Sequence, residues 1–417
     1  MTDVSKKNAI SREMLLLIAA VGAAVIGVLF YNVMPLYLGS MQDSLHLTAS
    51  QIGFVASAFF LGFNLASASS YFWVRKLPIR TTVTTCVLAM AALLGVSAFV
   101  SNYVGILALS SLVGASSGAV ASIAATLVGD AKNAARWFGV KVAAESLGGV
   151  VLLFVLPVAL VPALGFKGTI IGMLVLIGFL FPLLAFLGKG PIGDGASEAA
   201  GESGELSQKF ASSESEGRSA RGQPSLIALL WSRRAVWFGI FAMLLFFVGG
   251  SGVWAFEERI ATNYGFDPAW VGGVLGISLI FAVIGPLVSG AVGQKFGNRV
   301  PFVIACVFTV MGILALAGSN NVAFYYALGA CGFMLGWGGG MPFIYSKVAM
   351  EDPDGRHLAL TIPAIGIGSM LGPAITGMFY GDGSIVVLQW MSVITVALAA
   401  VLIWFAHTQT SPVAARA

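Results

Sequence analysis

The sequence predicts an all-α membrane protein: twelve transmembrane helices in two pseudo-symmetric six-helix bundles. Three observations predict it. Twelve apolar stretches each reach about 20 residues, the length that carries a helix across roughly 30 Å of hydrocarbon. Threading the chain through them in order places twenty of its 22 Lys and Arg residues on one side, the excess that cytoplasmic loops carry. The first six stretches are echoed by the second six at a nearly fixed spacing, the mark of an internal duplication. Composition agrees. The chain is 58% hydrophobic and only 10% charged, against about 25% charged in a soluble domain. Its net charge of +4 therefore reads as membrane-flanking charge and not as a nucleic-acid footprint.

The elements follow in order. Residues 14–38 are long enough to span, and no small-residue cleavage site follows them, so they read as a retained first helix. This helix carries Tyr31 and Asn32, and Pro35 one turn on can kink it and open its backbone. Residues 52–73 place Asn64 about 18 Å along the second helix, near mid-depth. Arg75, Lys76 and Arg80 fill the loop to the third helix, 81–100. The fourth, 103–128, has Gly114 and Gly118 four apart, a spacing that lets helices approach closely, and Asp130 stands at its end. The fifth, 140–161, holds Lys141 and Glu145 one helical turn apart and so on one face. Residues 168–187 close the first bundle.

Residues 188–225 are rich in Ser, Glu and Gly and almost free of large apolar side chains. They cannot bury enough surface to offset their ordering entropy, so they read as a linker. With the run to residue 234 they divide the chain into an N-terminal bundle (1–187), a linker (188–234) and a C-terminal bundle (235–417). The seventh helix, 235–256, brings Trp254 and closes on Glu257, Glu258 and Arg259, which read as a solvated helix end. Residues 270–292 and 300–318 follow. The tenth helix, 322–345, contains Trp337. The eleventh, 358–380, carries Gly368, Gly372-Pro373 and Gly377, a packing face. Residues 385–406 complete the set. Cys86, Cys306 and Cys331 fall inside spans without metal-ligand spacing and read as packing residues.

If the N-terminus is cytoplasmic, the inner side holds Lys6, Lys7, Arg12, Arg75, Lys76, Arg80, Lys132, Arg136, Lys141, Lys189, Lys209, Arg218, Arg221, Arg233, Arg234, Lys295, Arg299, Lys347, Arg356 and Arg416. Lys167 and Arg259 fall elsewhere. Both termini are then expected in the cytoplasm and the protein in the cytoplasmic (inner) membrane. The repeat pairs Gly53, Lys76 and Arg80 with Gly272, Lys295 and Arg299 at an offset of 219. Gly114, Gly118 and Asp130 pair with Gly336, Gly340 and Asp352 at 222, and Arg136 with Arg356 at 220. Six is even, so the two copies keep one orientation about an axis along the membrane normal.

Helices in a 6+6 pattern, a polar central loop and short basic loops resemble the major facilitator superfamily of secondary transporters, over residues 12–406. The family's loop motif between helices 2 and 3, repeated between 8 and 9, is G-x-x-x-D-[RK]-x-G-[RK]-[RK]. Its second copy here is Gly290-Ala-Val-Gly-Gln294-Lys295-Phe-Gly297-Asn298-Arg299. The first is Tyr71-Phe-Trp-Val-Arg75-Lys76-Leu-Pro78-Ile79-Arg80, with both glycines gone and Arg75 at the acidic position. The resemblance implies gate pairs Arg80–Asp130 and Arg299–Asp352. It also implies a central cavity lined by helices 1, 4, 7 and 10, which makes Tyr31, Asn32, Trp254 and Trp337 substrate-binding candidates beside Asn64. The helix-5 motif of proton-driven exporters is absent, which favours uptake over export.

Ionisable groups cost at least about 2.5–3.5 kcal/mol at the centre of a bilayer helix, so each invites a function. Glu145 is the proton-coupling candidate, with Lys141 as the partner for which a proton or an anionic substrate competes. The reading is a proton-coupled secondary transporter that takes up a small organic solute, such as a monocarboxylate or an aromatic acid, by alternating access. It works as a monomer, without a cofactor, a metal or nucleic acid. The rivals are proton-driven multidrug efflux and a transport-inactive receptor on the same scaffold. No Ser/His/Asp set and no phosphate-binding Gly-Lys-Ser/Thr loop supports an enzyme.

Overall fold

The computed structural model of the chain describes residues 3–131, 133–192, 234–351, 360–380 and 385–406. Among them lie twelve helices long and apolar enough to cross a membrane, and no strand. In the first half these are α1 (Asp3–Leu45), α2 (Ala49–Trp73), α3 (Ile79–Ser97), α4 (Tyr103–Gly129), α5 (Ala134–Val155) and α6 (Phe166–Leu180). In the second half they are α7 (Arg234–Asn263), α8 (Pro268–Phe296), α9 (Arg299–Ala317), α10 (Ala323–Glu351), α11 (Thr361–Phe379) and α12 (Ile385–Phe405). Most of the expected linker lies outside the described residues.

Local chemistry sets the helix ends. Thr48 caps α2 in a reciprocal box: its hydroxyl accepts from Gln51 N at 3.2 Å, and the Gln51 side chain accepts from Thr48 N at 2.8 Å. Such a box satisfies two of the orphan donors at a helix start. The Asn102 side chain does the same for α4, accepting from Gly105 N at 2.6 Å. Pro157 has no N–H to offer, and α5 passes there into a π turn (Leu156–Leu160) and a last short turn (Val161–Leu164). Gly165, at φ +56°, reverses the chain into α6.

At the end of the bundle opposite the N-terminus, two helices run about two turns further than the apolar stretches indicate. The first stretch ends at 38, but α1 continues to Leu45; the seventh ends at 256, but α7 continues to Asn263. Glu257, Glu258 and Arg259 are therefore not a solvated helix end. They lie within the last two turns of α7 and are 0%, 5% and 8% exposed. The helix persists because Arg259 neutralises its neighbour, and it stops where Gly265 takes φ +75°.

Each half is a bundle. In the first, α1 packs on α4, α5 and α6, and α2 on α4; in the second, α7 packs on α10 and α12, and α10 on α8 and α9. The halves meet along α2–α11, α5–α8 and α1–α7. The duplication is visible in this packing. A Cβ added to Gly53 would strike the Pro373 carbonyl and Gly377, and one added to Gly272 would strike the Leu153 carbonyl and Pro157. Each glycine thus faces the fifth helix of the opposite half, as the sequence pairing of Gly53 with Gly272 requires. The pairing within α4 and α10 needs correction. Gly114 lies against the Phe59 carbonyl of α2; its counterpart against α8 is Gly338, on the Ala282 carbonyl, whereas Gly336 faces α9 and Gly340 faces Phe246 of α7. The glycine-rich run of α10 offers several in-register alternatives, and sequence spacing selected a neighbour two residues away.

Candidate functional site

The seam between the halves is closed at one end. Call the side opposite the N-terminus the far side. There α2 and α11 touch main chain to main chain at Gly53 and Gly377, and α5 and α8 at Leu153 and Gly272. Deeper in, the Ser57 hydroxyl donates to the Met370 carbonyl at 2.6 Å, and Asn64 Nδ2 donates to the Gly366 carbonyl at 2.9 Å. Asn64 is about 22 Å from the far end of α2 at 1.5 Å per residue. The hydrogen bonds that Ser57, Asn64, Trp254 and Arg259 make between the halves lie at about this depth or nearer the far end.

A charged latch ties the same end. Arg259 of α7 donates from Nη1 to Asp43 Oδ1 at 2.6 Å and from Nη2 to Asp43 Oδ2 at 2.9 Å. It also donates from Nε to Glu258 Oε2 at 2.6 Å. Gly39 of α1 makes room: a Cβ there would collide with the Glu258 carboxylate and the Arg259 guanidinium. Two fork-like contacts on one guanidinium are the strong form of an ionic hydrogen bond. Asp43 drew no notice in the sequence because it stands alone in a loop-like stretch. Arg259, a cation inside the far half of a span, was the signal that a carboxylate must answer it.

At mid-depth the seam carries the residues expected to bind substrate and proton. Lys141 Nζ lies 2.6 Å from Glu145 Oε1, and both side chains are largely buried. Asn32 Nδ2 donates to the Glu145 carbonyl at 2.7 Å. Four residues on, Gly149 backs onto Asn32 of α1 and Leu279 of α8. Lys141, Glu145, Gly149 and Leu153 share one face of α5, and that face looks across the seam. Gly149 and Leu153, further along it, touch Leu279 and Gly272 of α8. Trp254 Nε1 donates to the Tyr31 carbonyl at 2.9 Å, bracing α7 on α1. The Tyr31 ring meets Phe60 of α2 edge-on.

The structure thus brings together Lys141, Glu145, Asn32, Tyr31 and Trp254, with Asn64 on the neighbouring α2–α11 contact. Trp337 stands apart, inside the second half. It stacks on Phe333 and tilts against Phe247, and it backs onto Gly250 of α7.

The expected pair Arg80–Asp130 is not formed. Asp130 is held instead by Arg75, through hydrogen bonds of 2.8 and 3.0 Å. Arg80 Nε donates to the Leu187 carbonyl at 3.1 Å. The reason is register: Arg75 follows the last turn of α2, which packs on α4, whereas Arg80 opens α3 beside the end of the sixth span. Arg299 does in the second half what Arg80 does in the first, donating from Nη2 to the Ala406 carbonyl at 2.9 Å. Basic side chains at helix C-termini satisfy orphan carbonyls in this way. Asp352, the expected partner of Arg299, lies outside the described residues.

A family model described as Major Facilitator Superfamily matches residues 19–362. The chain belongs to the major facilitator superfamily. No curated protein matches it. Among solved superfamily structures, a D-xylose–proton symporter superposes with a TM-score of 0.70 at 12% identity, over 94% of this chain and 97% of that one. The nucleoside transporter NupG gives 0.69 at 17%, over 95% and 98%. A bacterial homologue of the human lysosomal transporter Spinster gives 0.67 at 13%, over 95% and 96%. At these identities the likeness concerns the superfamily fold. The fold described above is that of a multi-pass membrane transporter.

Proposed function

We propose that the chain is a proton-coupled secondary transporter that takes up a small organic solute, a monocarboxylate or an aromatic acid, by alternating access. One observation carries this reading: the buried Lys141–Glu145 pair lies one helical turn before Gly149, which touches Leu279 of the opposite half. A buried ion pair is costly to keep unless its parting does something, because removing one partner strands a charge. A solute carboxylate takes Lys141, and a proton takes Glu145. Asn32 and Tyr31 flank the pair, and the Trp254 indole floors the site against the closed end. Asp43 and Arg259 form the far-side gate. The excess of basic residues on the N-terminal side supports cytoplasmic termini, in this reading those of a monomer in the cytoplasmic membrane. The two bundles, 1–187 and 235–417, rock about the site with residues 188–234 as tether.

The experiment is uptake into proteoliposomes across a panel of organic acids, sugars and nucleosides, with and without an imposed pH gradient. Accumulation of one acid driven by the gradient supports the reading. Competition by several unrelated lipophilic cations transfers the protein to drug efflux. Ligand binding without counterflow makes it a receptor.

A further inference from the structure

We propose that Glu257 is a proton-binding site whose occupancy holds the far-side seam shut, so that the far gate opens as pH rises. This rests on the transport reading, because it requires the seam to open. It is distinct from Glu145, which lies in the other half and at mid-depth.

Glu257 is fully buried, and neither of its carboxyl oxygens has a hydrogen-bond partner. The groups around it are accounted for. On its own helix, Arg259 is turned to Asp43 of α1 and to Glu258. From α10, the Tyr326 hydroxyl donates to the Glu257 main-chain carbonyl at 2.9 Å and leaves the carboxyl unserved; Cys331 on the same helix lies within electrostatic reach. Tyr380, after α11, accepts from Asn263 Nδ2 at 2.7 Å, and burial pushes its hydroxyl up to about 12. Asp43 and Glu258 share the Arg259 guanidinium, whereas the Glu257 carboxyl lies on the side of α7 that meets Tyr326 and Cys331 of α10.

An ionised carboxyl without partner or water is strongly disfavoured at this depth. With the seam closed, Glu257 therefore carries a proton. Opening the far side must part Asp43 from Arg259, since they belong to different halves. It lets water reach the far end of α7. Hydration favours the anion. The proton passes from far-side water to a Glu257 oxygen before closure, and returns to that water on opening. A group protonated only in the closed state shifts the equilibrium toward closed as pH falls, by at most tenfold per pH unit for one proton. Asp43 predicts the opposite sign, because protonating it breaks the latch and opens the seam in acid.

The test uses the full chain in lipid nanodiscs, with the native cysteines replaced and spin labels at Ser101→Cys and Asn320→Cys, on far-side loops of opposite halves. The distance distribution is read from pH 5 to pH 9. The expected result is a closed distance in acid and a growing longer one in alkali, and Glu257→Gln fixes the closed distance throughout. Glu257→Met carries the same expectation and covers the case in which the amide variant misfolds. An unchanged pH response in both variants, or opening in acid, overturns the proposal. Arg259→Ala separates the two readings. If it yields the long distance while pH moves nothing, the Glu257 proposal alone fails. If neither pH nor Arg259→Ala ever yields it, alternating access fails as well.

Discussion

Arg259 holds Asp43 through two hydrogen bonds of 2.6 and 2.9 Å, although the two residues stand on opposite halves of the molecule. The guanidinium is buried while Asp43 is two-thirds exposed, so the two ends of the latch are not equivalent. Removing Arg259 strands the buried Glu258 carboxylate, and breaking a buried pair in this way costs about 3–5 kcal/mol. Removing the Asp43 charge leaves Arg259 still paired with Glu258. Arg259→Ala is therefore expected to lower the melting temperature in detergent sharply, and Asp43→Asn only slightly. Both are expected to raise alkylation of a far-side cysteine several-fold. Equal melting temperatures for the two variants would contradict the asymmetry.

Glu145→Gln is expected to abolish gradient-driven accumulation and to keep solute exchange, because the amide cannot carry a proton yet still fits beside Lys141. Lys141→Ala alone leaves a buried carboxylate unpaired and is expected to destabilise by about 3–5 kcal/mol. The double variant Lys141→Ala/Glu145→Ala is expected to recover part of that loss. Flux and thermal stability measured in parallel on the three proteins check both statements; retained accumulation in Glu145→Gln would remove Glu145 from the coupling path.

The seam glycines allow a symmetric prediction. Gly53→Val and Gly272→Val each push a side chain into main chain of the opposite half. Overpacking of this kind costs about 1–3 kcal/mol, paid only in the far-closed state, which corresponds to a shift of roughly tenfold toward the far-open one. Far-side accessibility and solute flux, measured on each variant, should move together and by similar amounts. A change in one variant without the other would break the equivalence of the two contacts.

A double-mutant cycle distinguishes the two arginines near Asp130. Arg75 and Asp130 are expected to couple by about 0–1 kcal/mol, as exposed pairs do. Arg80 and Asp130 are expected to show no coupling. Arg80→Ala is instead expected to cost about 1 kcal/mol through the unserved Leu187 carbonyl.

Much of this was legible in the chain itself. Span length and the sorting of Lys and Arg are whole-chain signals that local packing does not disturb, so the twelve helices and their two groups of six could be read directly. Gly53 and Gly272 were matched correctly because each is constrained by main chain across the seam. Lys141 and Glu145 were legible because a charged pair four residues apart is a local pattern. The failures share a cause. Hydropathy falls at Glu257, so the seventh span looked finished two turns early, while the partner that lets the helix continue is Asp43, 216 positions away. Arg80 was assigned by motif position, yet five residues of loop decide which arginine reaches Asp130. The role of Trp337 depended on which face of α10 looks outward from its bundle, and a glycine-rich helix gives no hydrophobic stripe to tell.

The matched arginines, Arg80 on the Leu187 carbonyl and Arg299 on the Ala406 carbonyl, carry one more consequence. Each one clasps the third helix of its own repeat to the last, at the rim away from the gate. With both ends of a repeat buckled together, rotation has no slack to be absorbed within it. Under the rocking cycle proposed above, each repeat is therefore expected to turn as one body.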